Sequence, residues 1–158
     1  VLGSLEFCTG PLNTCLIFVL GHTNCGAIKG ATRAFLQSQK ANAAKDGHAL
    51  DAMLRALGSV VESAAMELGK EATEDEIAQH AVKLNVFTTM NFMLQHSEPI
   101  RQKVKSGDLE VHGGIYDLAS GRVQFLGQSP SQMKLLKLPP PLTPGAPGIS
   151  PKDRLLGA

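Results

Sequence analysis

The strongest constraint on the fold of this chain is an unbroken apolar run at residues 15–20, which ends abruptly at Gly21. The run contains β-branched and aromatic side chains and is bounded by turn-forming residues, a pattern typical of a strand buried on both faces. Strands of this kind belong to parallel sheets with helices above and below. The run therefore predicts an α/β fold, a mostly parallel sheet flanked by helices.

Two potential metal ligands, His22 and Cys25, follow this strand directly. In α/β proteins, ligands bind at the carboxyl ends of the strands, which is where these two residues fall. Imidazole nitrogen and thiolate sulfur are preferred zinc donors, and a tight loop can aim donors at i and i+3 toward one point. At the start of a following helix, Cys25 would be favoured as the thiolate that metals require. The spacing thus predicts a metal loop, and the alternative is a loop histidine beside a small buried cysteine.

The rest of the chain up to residue 127 shows alternating helix and strand signals. Thr73 and Glu76 form a capping box at the start of one helix, and Gly107 ends another. Helical periodicity and stop signals predict helices at residues 3–10, 26–39, 50–68, 74–95 and 97–106. The sequence also predicts two strands joined in a C-terminal β-hairpin, at residues 109–117 and 122–126.

From Gln128 onward the composition changes. The segment 129–158 is rich in proline and contains interspersed glycine, which predicts that it forms no packed element. We therefore expect a domain at residues 1–128 and a Pro-rich tail or linker at residues 129–158. The tail is either disordered or laid extended across a neighbour, in which case the segment Leu-Leu-Lys-Leu at 135–138 would anchor it.

Several segments together resemble one known family. The sequence Val-Leu-Gly-His-Thr-Asn-Cys-Gly at residues 19–26 strongly resembles the second zinc motif of the β-class carbonic anhydrases. Further matches follow the family's order: Ser-Leu-Glu-Phe at 4–7, Asn-Val at 85–86, Leu-Glu-Val-His-Gly-Gly-Ile-Tyr-Asp at 109–117 and Ser-Gly-Arg-Val at 120–123. They cover roughly residues 3–127, so the resemblance implies a β-carbonic-anhydrase-like domain that lacks its first strands.

The resemblance implies the reversible hydration of carbon dioxide to bicarbonate by a zinc lyase. His22 and Cys25 would be ligands of Zn²⁺, and Gly21 and Gly26 would let the backbone turn tightly around the metal. The family works as dimers or higher oligomers, which implies a homo-oligomer or a subunit of a larger assembly. The family's catalytic carboxylate lies outside this chain, so no catalytic residue is identified.

One family motif has no counterpart here. The family carries an earlier Cys-x-Asp-x-Arg segment, whose cysteine supplies a third zinc ligand. Neither Cys8 nor Cys15 aligns with that cysteine, and both are predicted to be small buried residues. We expect the missing strands to come from an upstream portion of the protein or from another chain. The resemblance favours an enzyme, and the alternative is a catalytically inactive carbonic-anhydrase-like subunit with a structural or assembly role. A thiol enzyme using Cys25, with His22 as its base, is a third and weaker reading.

Composition narrows the partners and the compartment. The net charge of +1 without a basic run argues against a nucleic-acid partner, and no apolar run is long enough to cross a bilayer. Three cysteines, an odd number, fit a reducing intracellular compartment better than a disulfide framework. The cytosol, the mitochondrion and the plastid fit this expectation equally well.

Overall fold

The computed structural model describes residues 1–38 and 49–139, so residues 39–48 and the later part of the predicted tail lie outside the described residues. The described helices are α1 (Leu2–Thr9), α2 (Gly26–Ser38), α3 (Ala49–Ala56), α4 (Gly58–Leu68), α5 (Glu74–His96), α6 (Glu98–Ser106) and α7 (Gln132–Leu135). The strands are β1 (Leu16–His22), β2 (Glu110–Tyr116) and β3 (Val123–Gly127). Within these residues, no helix combines the length and apolarity needed to cross a membrane.

The three strands form one mixed sheet in the order β1-β2-β3. Strands β1 and β2 are parallel, with His22 opposite Tyr116 at their carboxyl ends. Strands β2 and β3 are antiparallel, with Tyr116 opposite Val123. The predicted α/β class and C-terminal hairpin are therefore confirmed, and the described sheet has one parallel and one antiparallel pairing.

Helix α5 packs against two hydrophobic cores. The predicted capping box starts it: the Glu76 N–H donates to the Thr73 hydroxyl at 3.3 Å, and the Thr73 N–H donates to the Glu76 carboxylate at 2.8 Å. The first core lies between α5, the sheet, α6 and α7, and includes Ile17, Val86, Met90, Met93, Ile100 and Val111. The second lies between α2, α4 and α5, and includes Ile28, Val61, Ala64, Ile77 and Ala81.

Two glycines let α5 approach the sheet closely. A Cβ on Gly113 would lie 2.6 Å from a methyl group of Val86, and a Cβ on Gly21 would lie 2.8 Å from the other. Side-chain carbons do not approach each other this closely, so glycine is required at both positions for the observed helix-to-sheet distance. Gly21 in β1 and Gly113 in β2 are thus explained by the packing of α5 on the sheet.

The prediction that β1 is buried on both faces is wrong. Ile17 and Val19 face α5 and the first core, whereas Leu16, Phe18 and Leu20 on the opposite face are exposed. Val123 and Phe125 of β3 are also exposed, and no described helix covers this side of the sheet. We call this side the open face, defined by Leu16, Phe18, Leu20, His112, Val123 and Phe125. An apolar run does not by itself show whether other elements pack on both faces of the strand.

Two helical predictions differ in detail from the structure. The helix predicted at 50–68 is divided between α3 and α4, because the Leu57 N–H bonds to the Leu54 carbonyl in a tighter turn and Gly58 is a poor helix former. Helical periodicity also predicts one apolar stripe of α5 through Ile77, Ala81, Leu84, Thr88 and Phe92, but Phe92 is exposed, whereas Val82 and Met90 are buried. A helix that packs against two cores buries a wider part of its surface than the single apolar stripe that helical periodicity predicts.

The first part of the predicted tail is packed. Leu135 of α7 is buried in the first core, so the expectation of no packed element is wrong for residues 129–138. Arg101, which is 1% exposed, donates to the carbonyl oxygen of Leu94 at 2.7 Å and to that of Pro139 at 3.1 Å. This guanidinium ties the segment after β3 to the end of α5. The predicted domain boundary at residue 128 stays a prediction.

Candidate metal centre

The predicted ligands lie on the short connection between β1 and α2, at the carboxyl end of β1. His22 is the last residue of β1, and Cys25 directly precedes α2, where its carbonyl accepts the Lys29 N–H at 2.9 Å. Between them, Asn24 adopts the left-handed conformation with φ +56°, which allows the chain to reverse within two residues. We call residues 22–25 the metal loop.

The donor atoms of the metal loop suit zinc. The exposed His22 ring has its Nδ1 atom 3.0 Å from the Thr23 carbonyl oxygen. Because a carbonyl oxygen only accepts hydrogen bonds, this contact places the proton on Nδ1 and leaves the Nε2 lone pair available for a metal. Cys25 is a free, half-buried thiol. Nitrogen and sulfur donors of these two types are ones that zinc prefers.

The described part of the chain supplies only these two donors. Residues 1–38 and 49–139 contain no cluster of three or more histidine, cysteine, aspartate or glutamate residues arranged to hold a metal ion. Cys15 directly precedes β1, at the end of the strand away from the metal loop, and is exposed, which corrects the prediction that it is buried. Cys8 lies in α1 and is half-buried.

Thr23 joins the metal loop to the end of β2. Its backbone N–H donates to the Tyr116 carbonyl at 2.9 Å, which extends the parallel ladder by one residue. Its hydroxyl donates to Asp117 Oδ1 at 3.2 Å and accepts the Leu118 N–H at 3.0 Å. This contact was not predicted from the sequence, although Thr23 and Asp117 each directly follow one of two neighbouring parallel strands, which is the signal that could have revealed it.

The Asp117 carboxylate also organises the turn between β2 and β3. It accepts the Ser120 hydroxyl at 2.6 Å and the Ala119 N–H at 3.1 Å, in addition to Thr23. These donors, above all the Ser120 hydroxyl and then the Ala119 N–H, lower the pKa of Asp117 from its ordinary value. The carboxylate therefore acts as a charged acceptor at the centre of this turn.

The glycines predicted to shape the loop have different surroundings. Gly21 lies within β1 against α5, as described above, and a Cβ on Gly26 would meet no other atom within 4 Å. Neither glycine has a positive φ, and the left-handed residue of the loop is Asn24. A tight turn around a metal therefore depends on Asn24 and on the Thr23 contacts more directly than on either glycine.

The cations of α2 pair with the start of α5. Lys29 lies 3.3 Å from Asp75, and Arg33 donates to Glu74 at 2.9 Å. Both pairs are on the surface, where such pairs contribute little to stability. Lys29 and Arg33 therefore belong to a solvated face of α2.

A groove of about 860 Å³ opens beside the metal loop, between the end of β2 and helices α4 and α5. Thr23, Asn24 and Asp117 contribute to its wall, together with His80, which lies 2.6 Å from Glu67. His22 and Cys25 are not among the residues that line it. The groove therefore borders the metal loop on the side away from the predicted ligands.

Comparisons with known proteins agree with these features. The family profile described as carbonic anhydrase matches residues 1–123. Carbonic anhydrase 2 of Mycobacterium tuberculosis (strain CDC 1551 / Oshkosh) is 31% identical over 125 residues, which cover 77% of this chain and 54% of that protein. The β-carbonic anhydrase CafA of Aspergillus fumigatus has a similar structure, with a TM-score of 0.67 and 27% identity over 85% of this chain and 59% of that one.

A second solved structure bears on assembly. One of two β-carbonic anhydrases from Sordaria macrospora, described as tetrameric, is similar with a TM-score of 0.61 and 29% identity, over 79% of this chain and 58% of that one. The chain spans about half the length of the curated relatives that it matches.

Proposed function

Because this chain belongs to the β-class carbonic anhydrase family, we propose that it serves in the zinc-dependent, reversible hydration of carbon dioxide to bicarbonate and a proton. The observation that carries the proposal is the placement of His22 and Cys25 on one short loop at the carboxyl end of β1. That position is where α/β proteins bind their ligands.

The residues of the metal loop would hold the ion through two different atoms. His22 would bind through Nε2, because its Nδ1–H is held by the Thr23 carbonyl, and Cys25 would bind through Sγ. When bound, Zn²⁺ would act as a Lewis acid that activates water as a nucleophile near neutral pH. Further ligands would come from outside the described residues.

The neighbouring carboxylate has a positioning role in this proposal. Asp117 already accepts hydrogen bonds from Thr23, Ala119 and Ser120, which occupy three of the about four lone-pair positions of its carboxylate. We therefore assign it no part in proton transfer. The chain's own contribution to the reaction is to hold two ligands on a loop whose backbone is joined to β2.

A second candidate is a carbonic-anhydrase-like subunit with a structural or assembly role and without turnover. It is favoured by the finding that residues 1–38 and 49–139 bring no third metal ligand to His22 and Cys25. A thiol enzyme is supported less. The His22 Nδ1 atom bonds to the Thr23 carbonyl, and in the described structure no hydrogen bond joins His22 to Cys25.

The proposal includes a homo-oligomer, or membership of a larger assembly, in a reducing intracellular compartment. The apolar open face and the similarity to a tetrameric β-carbonic anhydrase support assembly. The odd number of cysteines, each of them free, supports the compartment.

The test combines metal content with turnover. We would measure zinc per chain and intact mass on protein purified from its native source, and the rate of carbon dioxide hydration by stopped flow. His22→Ala and Cys25→Ser should each abolish both zinc and turnover, whereas the control His96→Ala, which alters a histidine stacked on Phe92, should change neither. A stable protein without zinc or turnover would reject the enzyme and favour the assembly subunit.

A further inference from the structure

The contact between Thr23 and Asp117 joins two segments that are 94 residues apart in the chain. Thr23 lies between the two predicted ligands, one residue after His22 and two before Cys25. In the described structure its side chain makes no hydrogen bond to the donor atoms of His22 or Cys25, and its hydroxyl bonds instead to the turn after β2. A threonine that served only to fill the loop would have no need of these two hydrogen bonds.

The hydroxyl is held in one orientation by its two partners. It donates to Asp117 Oδ1 at 3.2 Å, and it accepts the Leu118 N–H at 3.0 Å. The backbone N–H of the same residue donates to the Tyr116 carbonyl at 2.9 Å. Three hydrogen bonds therefore fix one loop residue to three successive residues of the β2 end.

The other end of the contact is itself rigidly held. Asp117 accepts the Ala119 N–H and the Ser120 hydroxyl, and its own N–H donates to the Arg122 carbonyl at 2.8 Å. The loop is thus attached to a turn whose position is set by the β2–β3 hairpin. A rigid support of this kind determines where the loop atoms lie relative to the sheet.

We propose that Thr23 and Asp117 are positioning residues for the metal loop: their hydrogen bond fixes the loop backbone to the end of β2 and so sets the relative placement of the His22 and Cys25 donor atoms. The inference rests on the proposed function, because it assigns the loop the task of holding zinc. Residues that orient metal ligands without touching the ion typically contribute about 10- to 100-fold to metal affinity.

The test uses the full chain, three single variants, the double variant Thr23→Val/Asp117→Ala and two control variants. Thr23→Val keeps the shape and removes the hydroxyl, Thr23→Ser keeps the hydroxyl, and Asp117→Ala removes the carboxylate. The matched controls are Thr89→Val and Asp108→Ala. Thr89→Val removes a hydroxyl that bonds to the Asn85 carbonyl at an exposed position of α5, and Asp108→Ala removes a carboxylate that accepts the Ser106 hydroxyl. Zinc affinity is measured by competition with a chromophoric chelator, Cys25 ligation by the thiolate charge-transfer band of added Co²⁺, and loop order by amide hydrogen exchange of the metal-free protein.

We expect Thr23→Val and Asp117→Ala each to weaken zinc binding by about 10-fold, to alter the Co²⁺ spectrum and to speed amide exchange at residues 23–25. The double variant Thr23→Val/Asp117→Ala should lose less affinity than the sum of the two single losses, because both substitutions remove the same Thr23–Asp117 hydrogen bond. Thr23→Ser and the two controls should behave as the wild type. Unchanged affinity and spectrum in folded Thr23→Val would overturn the inference, even if its melting temperature fell.

The exchange measurement separates this inference from the proposed function. If the wild type binds no zinc, the proposed function fails. Faster amide hydrogen exchange at residues 23–25 in Thr23→Val, but not in Thr23→Ser, would in that case still support the positioning role. Equal exchange in all variants would overturn that role whatever the zinc content. Zinc binding of equal strength in all variants leaves the proposed function standing and rejects the inference alone.

Discussion

Thr73 determines where α5, the longest of the described helices, begins. Its hydroxyl accepts the Glu76 N–H, and the Glu76 carboxylate accepts both the N–H and the hydroxyl of Thr73. The hydrogen bonds that Glu76 accepts lower its pKa. The bond from the Thr73 N–H has the largest effect, and the bond from the Thr73 hydroxyl has the second largest. The residue therefore satisfies backbone donors that would otherwise be unpaired at the helix start.

Thr73→Ala should lower the free energy of unfolding by about 1 kcal/mol, the usual cost of losing a helix N-cap. Ser63→Ala is the matched control, because the Ser63 hydroxyl bonds to a carbonyl within α4 and caps nothing. Urea unfolding followed by circular dichroism measures both. Equal stability of Thr73→Ala and the wild type would show that the capping box is not needed to start α5.

The hydrogen bonds to Asp117 make the stability of the β2–β3 turn depend on pH. Because its pKa is lowered in the folded protein, its contribution is present above the ordinary aspartate pKa and is lost as the pH falls through the lowered value. The stability difference between the wild type and Asp117→Asn should therefore shrink on acidification over this window. Urea unfolding between neutral and acidic pH tests it, with Asp108→Asn as the control for net charge. A constant difference would contradict the assignment.

Single residues of the metal loop were predictable from sequence only where their chemistry is distinctive. His22 and Cys25 stand out because few residue types bind zinc, and their position after an apolar run places them at a strand end. The role of Thr23 was not predictable in the same way. A hydroxyl bonds to many partners, and its partner here is 94 residues distant.

At the scale of secondary-structure elements, local signals predicted most of the helices and strands. Caps and glycine stops located α5 and α6 closely, because these signals act within one turn of the chain. The burial of each face of β1 could not be predicted from such local signals. Burial of a strand depends on which elements pack on each face, and the sequence of the strand is apolar on both.

The packing of α5 on the sheet depends on Gly113. Gly113→Ala would place a methyl group 2.6 Å from Val86 Cγ1 and 3.0 Å from the Met90 sulfur, so the helix must shift. We expect a loss of about 1–3 kcal/mol in the free energy of unfolding, the usual cost of overpacking a core. Chemical denaturation measures this loss.

Gly58→Ala is the control for that substitution, because a Cβ on Gly58 meets no atom within 4 Å and alanine is the better helix former. It should leave stability unchanged or slightly raised. Equal stability of Gly113→Ala and the wild type would mean that α5 can move away from β2 without cost.

For the molecule as a whole, the distribution of apolar surface is uneven. One side of the sheet is filled by the first core, whereas the open face presents five exposed apolar side chains of β1 and β3. Among the described residues, β1 hydrogen-bonds to β2 alone, so its outer edge is also unpaired. Contiguous apolar surface and a free strand edge are the features that drive proteins to associate.

We therefore expect this chain to self-associate through the open face in a concentration-dependent way. Phe125, which is 63% exposed and lies near the rings of Phe18 and His112, is the most accessible aromatic side chain of that face. Phe125→Thr keeps a residue suited to strands, so it should shift the chain toward the monomer in sedimentation velocity with little loss of stability. Phe92→Gln, at a phenylalanine that is 52% exposed on α5, should not change the sedimentation. If both variants sediment as the wild type does, the open face is not the surface through which the chain associates.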